Sequence, residues 1–168
     1  FGRPVQAGPG EHLFRQGDTN RNFYIVESGL LKAYYLSENG RESIKSFHGP
    51  GDVIGSLSAV KTQAGGSFSL VTLKPCILLE VSFDQVFEAC RNNAELAFAV
   101  AEFMMAFGMK KEQREYELLC LSAEDRYRRL ISARPELLNT VQQNDIALYL
   151  GVTPVGLSRI KKRVEQNG

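Results

Sequence analysis

Two different hydrophobic patterns divide the chain near Ser82. Before this residue, apolar and aromatic runs alternate with turn residues, which is typical of short β-strands. The predicted strands cover residues 22–26, 30–36, 43–47, 67–73 and 76–81. Asn39-Gly40, between the second and third of them, is a strong hairpin signal. Many short strands at this spacing predict a sandwich, a jelly roll or a small barrel.

From Ser82 onward the pattern is helical. Two serines are each followed, three residues later, by a side chain that completes a capping pattern: Ser82 with Gln85, and Ser122 with Asp125. The first pattern opens a short helix that ends before Asn92. A long helix is predicted over 94–121, and the second pattern opens a helix to about Arg134, where Pro135 ends it.

The long helix carries more apolar surface than one face needs. It would be about 40 Å long, and its large apolar residues include Leu96, Phe98, Val100, Phe103, Met105, Phe107 and Met109. We expect one face to pack on the β domain. The other, with Phe98, Met105 and Met109, is expected to pair with a second copy of the chain. The alternative is a helix buried in the core of a monomer.

Residues 143–162 predict two short helices joined by a tight turn. Ile146, Ala147 and Leu150 are spaced so that they share one face of the first helix. Ala147 is small where two helices must cross closely. Gly151 suits the left-handed residue that ends a helix, because a side chain there would be costly.

The second of these helices has a clear beginning and two faces. Thr153 is placed to cap it, and Pro154 to begin it, where its missing N–H is not needed. Leu157 and Ile160 face back onto the first helix. The outer face is left with Val155, Gly156, Ser158, Arg159 and Lys162. This pattern favours a DNA-reading helix-turn-helix, and a plain αα-hairpin is the alternative.

Charge is distributed unevenly along the chain. The formal net charge is +1, but residues 126–168 carry five more basic than acidic residues and the remainder four more acidic than basic. A basic end that overlaps the two-helix motif favours contact with phosphate.

Composition gives the broad class of protein. A hydrophobic content of 43% and a charged content of 23% are ordinary for a soluble protein. No apolar run is long enough to cross a bilayer, so we expect a cytoplasmic protein with no membrane partner. The chain begins at Phe1, without Met or a signal-peptide pattern. We expect the N-terminus to be truncated, processed or disordered.

Neither the cysteines nor the histidines predict a metal site. Cys76, Cys90 and Cys120 are widely spaced, which favours reduced thiols, with Cys76 in the core. His12 and His48 are the only histidines, and we expect both on the surface in turn-rich loops. The rival class, a cupin-type metalloenzyme, needs clustered His and carboxylate ligands. We therefore expect no metal, no cofactor and no enzyme activity.

The order of these parts resembles the bacterial transcription factors of the catabolite activator and fumarate–nitrate regulator (CRP/FNR) family. The matching segments are 10–11, 14–18, 23–29, 51–55 and the ending 152–159, which opens the recognition helix with Thr-Pro-Val. The resemblance implies an α+β fold. Its parts would be a cyclic-nucleotide-binding-like β-roll, or jelly roll, over 1–92, a dimerisation helix over 93–121 and a winged-helix-type helix-turn-helix over 122–168. It also implies a homodimer on palindromic double-stranded DNA, with RNA polymerase as a further partner.

The resemblance also implies an effector pocket in the β-roll, formed by Gly55, Ser56, Leu57, Gly66 and Ser67. Nucleotide-binding members carry Glu just after the first glycine, for the ribose. Further along they carry Arg followed by Ser or Thr, for the cyclic phosphate. Ser56 stands in place of the Glu, and Gly66 in place of the Arg. A half-buried phosphate needs a positive partner or several N–H donors, so we expect no tight binding of cyclic AMP.

Other sensing modes stay open. The pocket is expected to take an unidentified small-molecule effector, or none, in which case the protein binds DNA without gating. A cyclic-nucleotide sensor is the alternative, with Lys61 or the amides of Gly65 and Gly66 in place of the anchors. The cysteine cluster of the family's oxygen sensors has no match in the sequence, and neither histidine suits the haem ligand of its carbon monoxide sensors.

On the recognition helix, the family positions that touch base edges match Pro154, Val155 and Arg159, while Gly156 permits close backbone approach. Arg159 can grip guanine through two hydrogen bonds, whereas Val155 offers only apolar contact. Phosphate contacts are expected from Gln143, Thr153, Ser158, Lys161 and Lys162. Arg163 adds nonspecific attraction.

Overall fold

The structure is a computed structural model that describes residues 2–62 and 65–166. The chain forms two compact units, Phe1–Ala97 and Phe98–Gly168. Among the described residues, all strands lie in the first unit, and most of the helical residues lie in the second. This is the predicted α+β class.

The described part of the first unit has eight strands: β1 (Gly2–Ala7), β2 (His12–Phe14), β3 (Asn22–Ser28), β4 (Leu31–Leu36), β5 (Glu42–His48), β6 (Val53–Gly55), β7 (Ser69–Thr72) and β8 (Cys76–Ser82). They form two antiparallel sheets, in the orders β1-β8-β3-β6 and β2-β7-β4-β5. Strands distant in sequence are neighbours in space, since β8 pairs with both β1 and β3. The predicted jelly-roll type of β domain is confirmed.

Alternate side chains of these strands form one core. Tyr24 and Val26 of β3 are buried with Leu31 and Ala33 of β4. Cys76, predicted to be a core residue, is 3% exposed, and burial raises the pKa of its thiol. Fully burying one large apolar side chain of this kind contributes about 1.5–3 kcal/mol, so the packed sheets provide a rigid frame for the loops between them.

Three of the eight described strands, β1, β2 and β6, were not predicted from the sequence. β1 contains Gly2 and Pro4, which argue against a strand, but it lies at a sheet edge and pairs only with β8, where proline is tolerated. β2 and β6 have three residues each, too few to show alternation. The other five strands lie where the pattern predicted them, with ends shifted by up to two residues.

The prediction that both histidines lie in turn-rich loops was wrong. His12 begins β2 and His48 ends β5, and both are partly buried. Nε2 of His12 lies 2.9 Å from Oη of Tyr34, and burial lowers the pKa of this imidazole. Glycines and prolines next to both residues gave the sequence its turn-like appearance.

The described residues contain seven helices: α1 (Leu57–Lys61), α2 (Phe83–Arg91), α3 (Ala94–Cys120), α4 (Ala123–Ala133), α5 (Glu136–Thr140), α6 (Gln143–Leu150) and α7 (Pro154–Gln166). Both predicted caps are present. The backbone N–H of Gln85 donates to Ser82 Oγ at 3.4 Å, and that of Asp125 to Ser122 Oγ at 3.1 Å. α1 and α5, with five residues each, are too short to give a periodic signal.

The described part of the second unit consists of helices and the segments that connect them. Between Phe98 and Gln166 no strand is present, so the strands of a wing are not among the described residues. Nowhere in the described ranges is a helix both long and apolar enough to cross a membrane.

Candidate nucleic-acid interface

The helix-turn-helix predicted over 143–162 consists of α6 and α7. The residues predicted to join them are all buried: Ile146, Ala147 and Leu150 are 0% exposed, Leu157 is 1% exposed and Ile160 is 4% exposed. Two short helices with this little exposed apolar surface between them hold each other in one arrangement. The outer face of α7 is therefore presented by a rigid support.

The turn between the two helices uses backbone bonds as the sequence predicts. Gly151 has φ +69°, and Val152 N–H donates to Ala147 O at 3.0 Å, which closes the helix end in a Schellman-type turn. Thr153 Oγ1 accepts from Gly156 N–H at 3.1 Å, so it caps α7. Pro154 is the first residue of α7. The path from α6 to α7 is thus set by local chemistry.

The outer face of α7 is open to solvent. Val155 is 62% exposed, and Ser158, Arg159 and Lys162 are exposed as well, while Gly156 is half-buried. Among the described residues, Arg159 has neither a hydrogen bond nor an ion pair. Its five N–H groups are therefore available to a ligand outside the chain.

Two of the residues predicted to contact phosphate, Lys161 and Gln143, are hydrogen-bonded to each other. Lys161 Nζ donates to Gln143 Oε1 at 2.6 Å, which ties the middle of α7 to the first residue of α6. The remaining predicted contacts, Thr153, Ser158 and Lys162, are exposed. All five polar side chains belong to the two helices of the motif or to the turn between them.

Arg163 is less available than the sequence suggested. Its Nε donates to Glu124 of α4 at 3.0 Å, and Arg128 donates to the same carboxylate at 3.1 Å. These hydrogen bonds hold the pKa of Glu124 below its usual value, and the one from Arg163 has the larger effect. The carboxylate anchors the end of α7 and offsets part of the local positive charge.

Two arginines from other helices support the motif, and neither is predicted by the sequence pattern. Arg114 lies in the charged stretch 110–117 of α3, yet it is half-buried, and burial lowers its pKa. Arg114 and Arg126 donate to the backbone carbonyls of Tyr149 and Leu150 at the end of α6. The only signal in the sequence was indirect: the last carbonyls of any helix need donors from elsewhere.

Ser56, which the resemblance predicts to stand where nucleotide-binding members carry Glu, has a structural role in the β-roll. Ser56 is 1% exposed and is the N-cap of α1, where its Oγ accepts from Ala59 N–H at 3.4 Å. A Cβ added to Gly66 would lie 3.1 Å from this same Oγ. Ser56 and Gly66 therefore pack against each other with little space between them.

The backbone N–H and carbonyl of Gly66 both form hydrogen bonds within the β-roll. Its N–H donates to Asp18 O and its carbonyl accepts from Gly17 N–H, both at 2.8 Å. This amide, one of the donors that the sequence offered to a phosphate, is already used. Gly65 has φ +80°, and a Cβ there would lie 2.1 Å from Gly17 O, so only glycine fits.

The rest of the predicted pocket is partly exposed. Gly55 is buried against Phe23, while Leu57 is 37% exposed and Ser67 is exposed. The Nζ of Lys61, the suggested substitute cation, lies 5.3 Å from the ring centre of Phe87. In this position Lys61 makes a cation–π contact on the surface.

The chain is similar to known proteins over almost its whole length. Residues 4–93 match the cyclic nucleotide-binding domain model. The chain is 31% identical to the Anaerobic regulatory protein of Haemophilus influenzae over 179 aligned positions, which cover 99% of the chain and 67% of that protein. It is 28% identical to the transcriptional activator protein Anr of Pseudomonas protegens, with 99% and 71% covered.

The chain belongs to the CRP/FNR family of transcription regulators. Solved structures of CRP/FNR proteins share its fold. FixK2 of Bradyrhizobium japonicum has a TM-score of 0.82 at 18% identity, covering all of this chain and 86% of its own. The c-di-GMP responsive regulator CLP of Xanthomonas campestris has a TM-score of 0.75 at 20% identity, covering 99% and 88%.

Membership of the CRP/FNR family also decides the class of protein. The relatives named above are regulators, so this chain is a regulator and not an enzyme. Within residues 2–62 and 65–166, no three His, Cys, Asp or Glu side chains lie together as metal ligands.

Proposed function

We propose that this regulator binds palindromic double-stranded DNA in the cytoplasm as a homodimer. Each α7 would enter a major groove, and the two grooves would lie about 34 Å apart on one side of the duplex. The observation that carries the proposal is the exposed face of α7, with an unengaged Arg159, on a motif whose inner face is fully buried. A rigid helix with one open polar face is what base reading requires.

The residues of this face divide into two roles. Arg159 would make a bidentate contact with guanine, and Val155 would contact a thymine methyl group. Gly156 lets the backbone approach the groove. Backbone phosphates would be held by Gln143, Thr153, Ser158, Lys161 and Lys162. Phosphate contacts fix the position of the helix and base contacts give the sequence preference.

Selection from random duplexes tests the proposal. Purified protein is mixed with a random 30-base-pair pool, bound duplexes are amplified, and the cycle is repeated. We expect enrichment of a two-fold symmetric motif with half-sites centred about one helical turn apart. A pool that stays random, or a single asymmetric site bound by one chain, would count against it.

Dimerisation is supported by the surface of α3. Five of its six large exposed apolar residues fall on one face, at spacings of seven, four, seven and three: Phe98, Met105, Met109, Tyr116 and Leu119. The sixth, Leu118, lies on the opposite face and is 44% exposed. Phe98, Met105 and Met109 are 65–68% exposed, and Leu119 is 76% exposed. The opposite face carries the half-buried Leu96, Val100, Phe103 and Phe107. An apolar seam of this length on a helix suits a parallel partner helix.

Met105→Glu is expected to dissociate the dimer. Pairing would bury one unpaired carboxylate from each chain, at a cost of about 3 kcal/mol or more, so the dimer dissociation constant should rise by more than about 100-fold. Sedimentation equilibrium measures it. Ala99→Glu adds the same charge at an exposed position roughly 120° around the helix and should leave the dimer intact. Equal behaviour of the two variants would contradict the seam.

The effector is proposed to be something other than cyclic AMP. Ser56 is buried as a cap, and the Gly66 amide donates within the β-roll, so the two family anchors are missing and one substitute donor is occupied. A cyclic phosphate placed there would lose solvation without gaining a cation. An unidentified small-molecule effector, or ungated DNA binding, is consistent with this geometry.

Titration calorimetry with cyclic AMP and cyclic GMP tests the effector site. We expect no saturable heat up to about millimolar nucleotide, where binding would be worth only about 4 kcal/mol. Saturation at micromolar concentration would mean that the site rearranges to supply other donors. The selected duplex, titrated with and without each nucleotide, then shows whether binding is gated.

A further inference from the structure

The turn of the helix-turn-helix depends on side chains from outside it. A helix leaves its last four carbonyls without intrahelical partners. In α6, Ala147 O accepts from Val152 N–H at 3.0 Å and Leu148 O accepts from Gly151 N–H at 3.3 Å. The remaining two, on Tyr149 and Leu150, accept from arginine side chains of two other helices. All four carbonyls are therefore satisfied.

The first arginine comes from the long helix. Arg114 of α3 donates from Nη2 to Tyr149 O, and its guanidinium lies 3.8 Å from the centre of the Tyr149 ring. One side chain thus holds both the backbone and the ring of the same residue. The planar guanidinium can do this because it stacks and donates at once, which an ammonium cannot.

The second arginine joins three helices at one point. Arg126 of α4 donates to Leu150 O from Nε at 3.2 Å and from Nη2 at 2.9 Å. Its Nη1 donates to Leu121 O, just beyond the end of α3, at 2.7 Å. One cation therefore lies at the C-terminal, negative ends of both α3 and α6.

We infer that Arg114 and Arg126 are positioning residues for DNA reading. Together, as the arginine clamp, they hold the helix-turn-helix at one angle to the end of α3. In a dimer joined through α3, that angle sets the separation of the two α7 helices. The arginine clamp therefore determines which half-site spacing is bound. The inference rests on the proposed dimer and its palindromic site.

A distance measurement without DNA tests the geometric part. Spin labels at Gln113→Cys in α3 and Lys162→Cys in α7, with Cys90 and Cys120 replaced by Ala, report the angle of the motif. Labelled chains are diluted with unlabelled ones so that only intrachain distances contribute. We expect one narrow distance distribution for the unmodified clamp and a clearly broader one for Arg114→Met and Arg126→Met. An unchanged width in both variants would overturn the inference.

A DNA measurement tests the consequence. The selected palindrome is bound alongside versions with one base pair added to or removed from its centre. The unmodified protein should lose at least about tenfold in affinity on the altered spacings, because one base pair rotates the half-sites by about 34°. In Arg126→Met the preferred site should weaken and the spacing penalty should shrink. A spacing penalty that stays the same in both clamp variants would overturn the inference.

Control variants separate positioning from stability. Arg134→Met removes the same charge just after α4, but Arg134 pairs with Glu136 two residues away, so both profiles should be unaltered. Arg126→Lys keeps the charge without the fork and should not restore the spacing preference. If Arg126→Met does not fold, Arg114→Met, which retains Arg126, decides the matter. If the clamp variants broaden the distance distribution but the unmodified protein binds no palindrome, the arginine clamp is supported and the proposed function is refuted.

Discussion

Replacing Arg159 with alanine is expected to weaken binding to the selected palindrome by about 1–3 kcal/mol per half-site, or about 5- to 150-fold. Affinity for random DNA should change little. The reason is geometric, because Arg159 is exposed on the outer face of α7 and makes no bond within the described chain. Its removal deletes contacts to guanine without disturbing the fold. Fluorescence anisotropy with specific and random duplexes at one fixed salt concentration measures both affinities.

Lys162→Ala provides the matched control for this experiment. Lys162 is exposed on the same face, one turn further along α7, and is proposed to contact phosphate. Its loss should weaken specific and random binding alike and reduce the salt dependence by about one charge per chain. The two variants should therefore differ in the ratio of specific to random affinity. If Arg159→Ala behaves like Lys162→Ala, Arg159 does not read bases.

Replacing Leu150 with alanine is expected to destabilise the second unit by about 2–5 kcal/mol. Leu150 is 0% exposed at the end of α6, a helix that contacts both α7 and α4. Its removal leaves a cavity that the short helices cannot close without moving. Thermal or urea unfolding followed by circular dichroism gives the change in the free energy of unfolding.

Val155→Ala is the corresponding surface variant. Val155 is 62% exposed in the same motif, so its truncation should change the free energy of unfolding by no more than about 0.5 kcal/mol. If Leu150→Ala lowers the free energy of unfolding as little as Val155→Ala does, the interface of α6 and α7 contributes little to stability. The motif would then need DNA to become ordered.

The helix-turn-helix was the part most completely predicted from the sequence. Its signals are local: the spacing of Ile146 and Leu150, the glycine at 151 and the cap at Thr153 each act within a few residues. The structure reproduces all of them. The β-roll was predicted as a class, because turn residues and short apolar runs show strands but not which strands pair.

Long-range contacts could not be predicted in this way. Arg114 and Tyr149 are 35 residues apart, and the charged neighbours of Arg114 are typical of a solvated helix face. The position of His12 within a strand depends on pairing with β7, more than 50 residues away. The occupied amide of Gly66 follows from the same kind of distant contact, with Asp18. Such features depend on the assembled fold and leave no pattern in the local sequence.

The capping role of Ser56 conflicts with a nucleotide anchor at the same position. The resemblance to nucleotide-binding members implies that Ser56 stands where they carry the ribose-binding Glu. Because Ser56 is also the N-cap of α1, a mutation to Glu would remove the hydroxyl cap and bury a carboxylate before any phosphate anchor exists. A mutation of Gly66 to Arg alone would meet Ser56 Oγ and supply only half of a site. Either change alone would supply one of the two anchors without the other. Installing both anchors would therefore take two linked substitutions, at Ser56 and at Gly66, together with a new cap for α1.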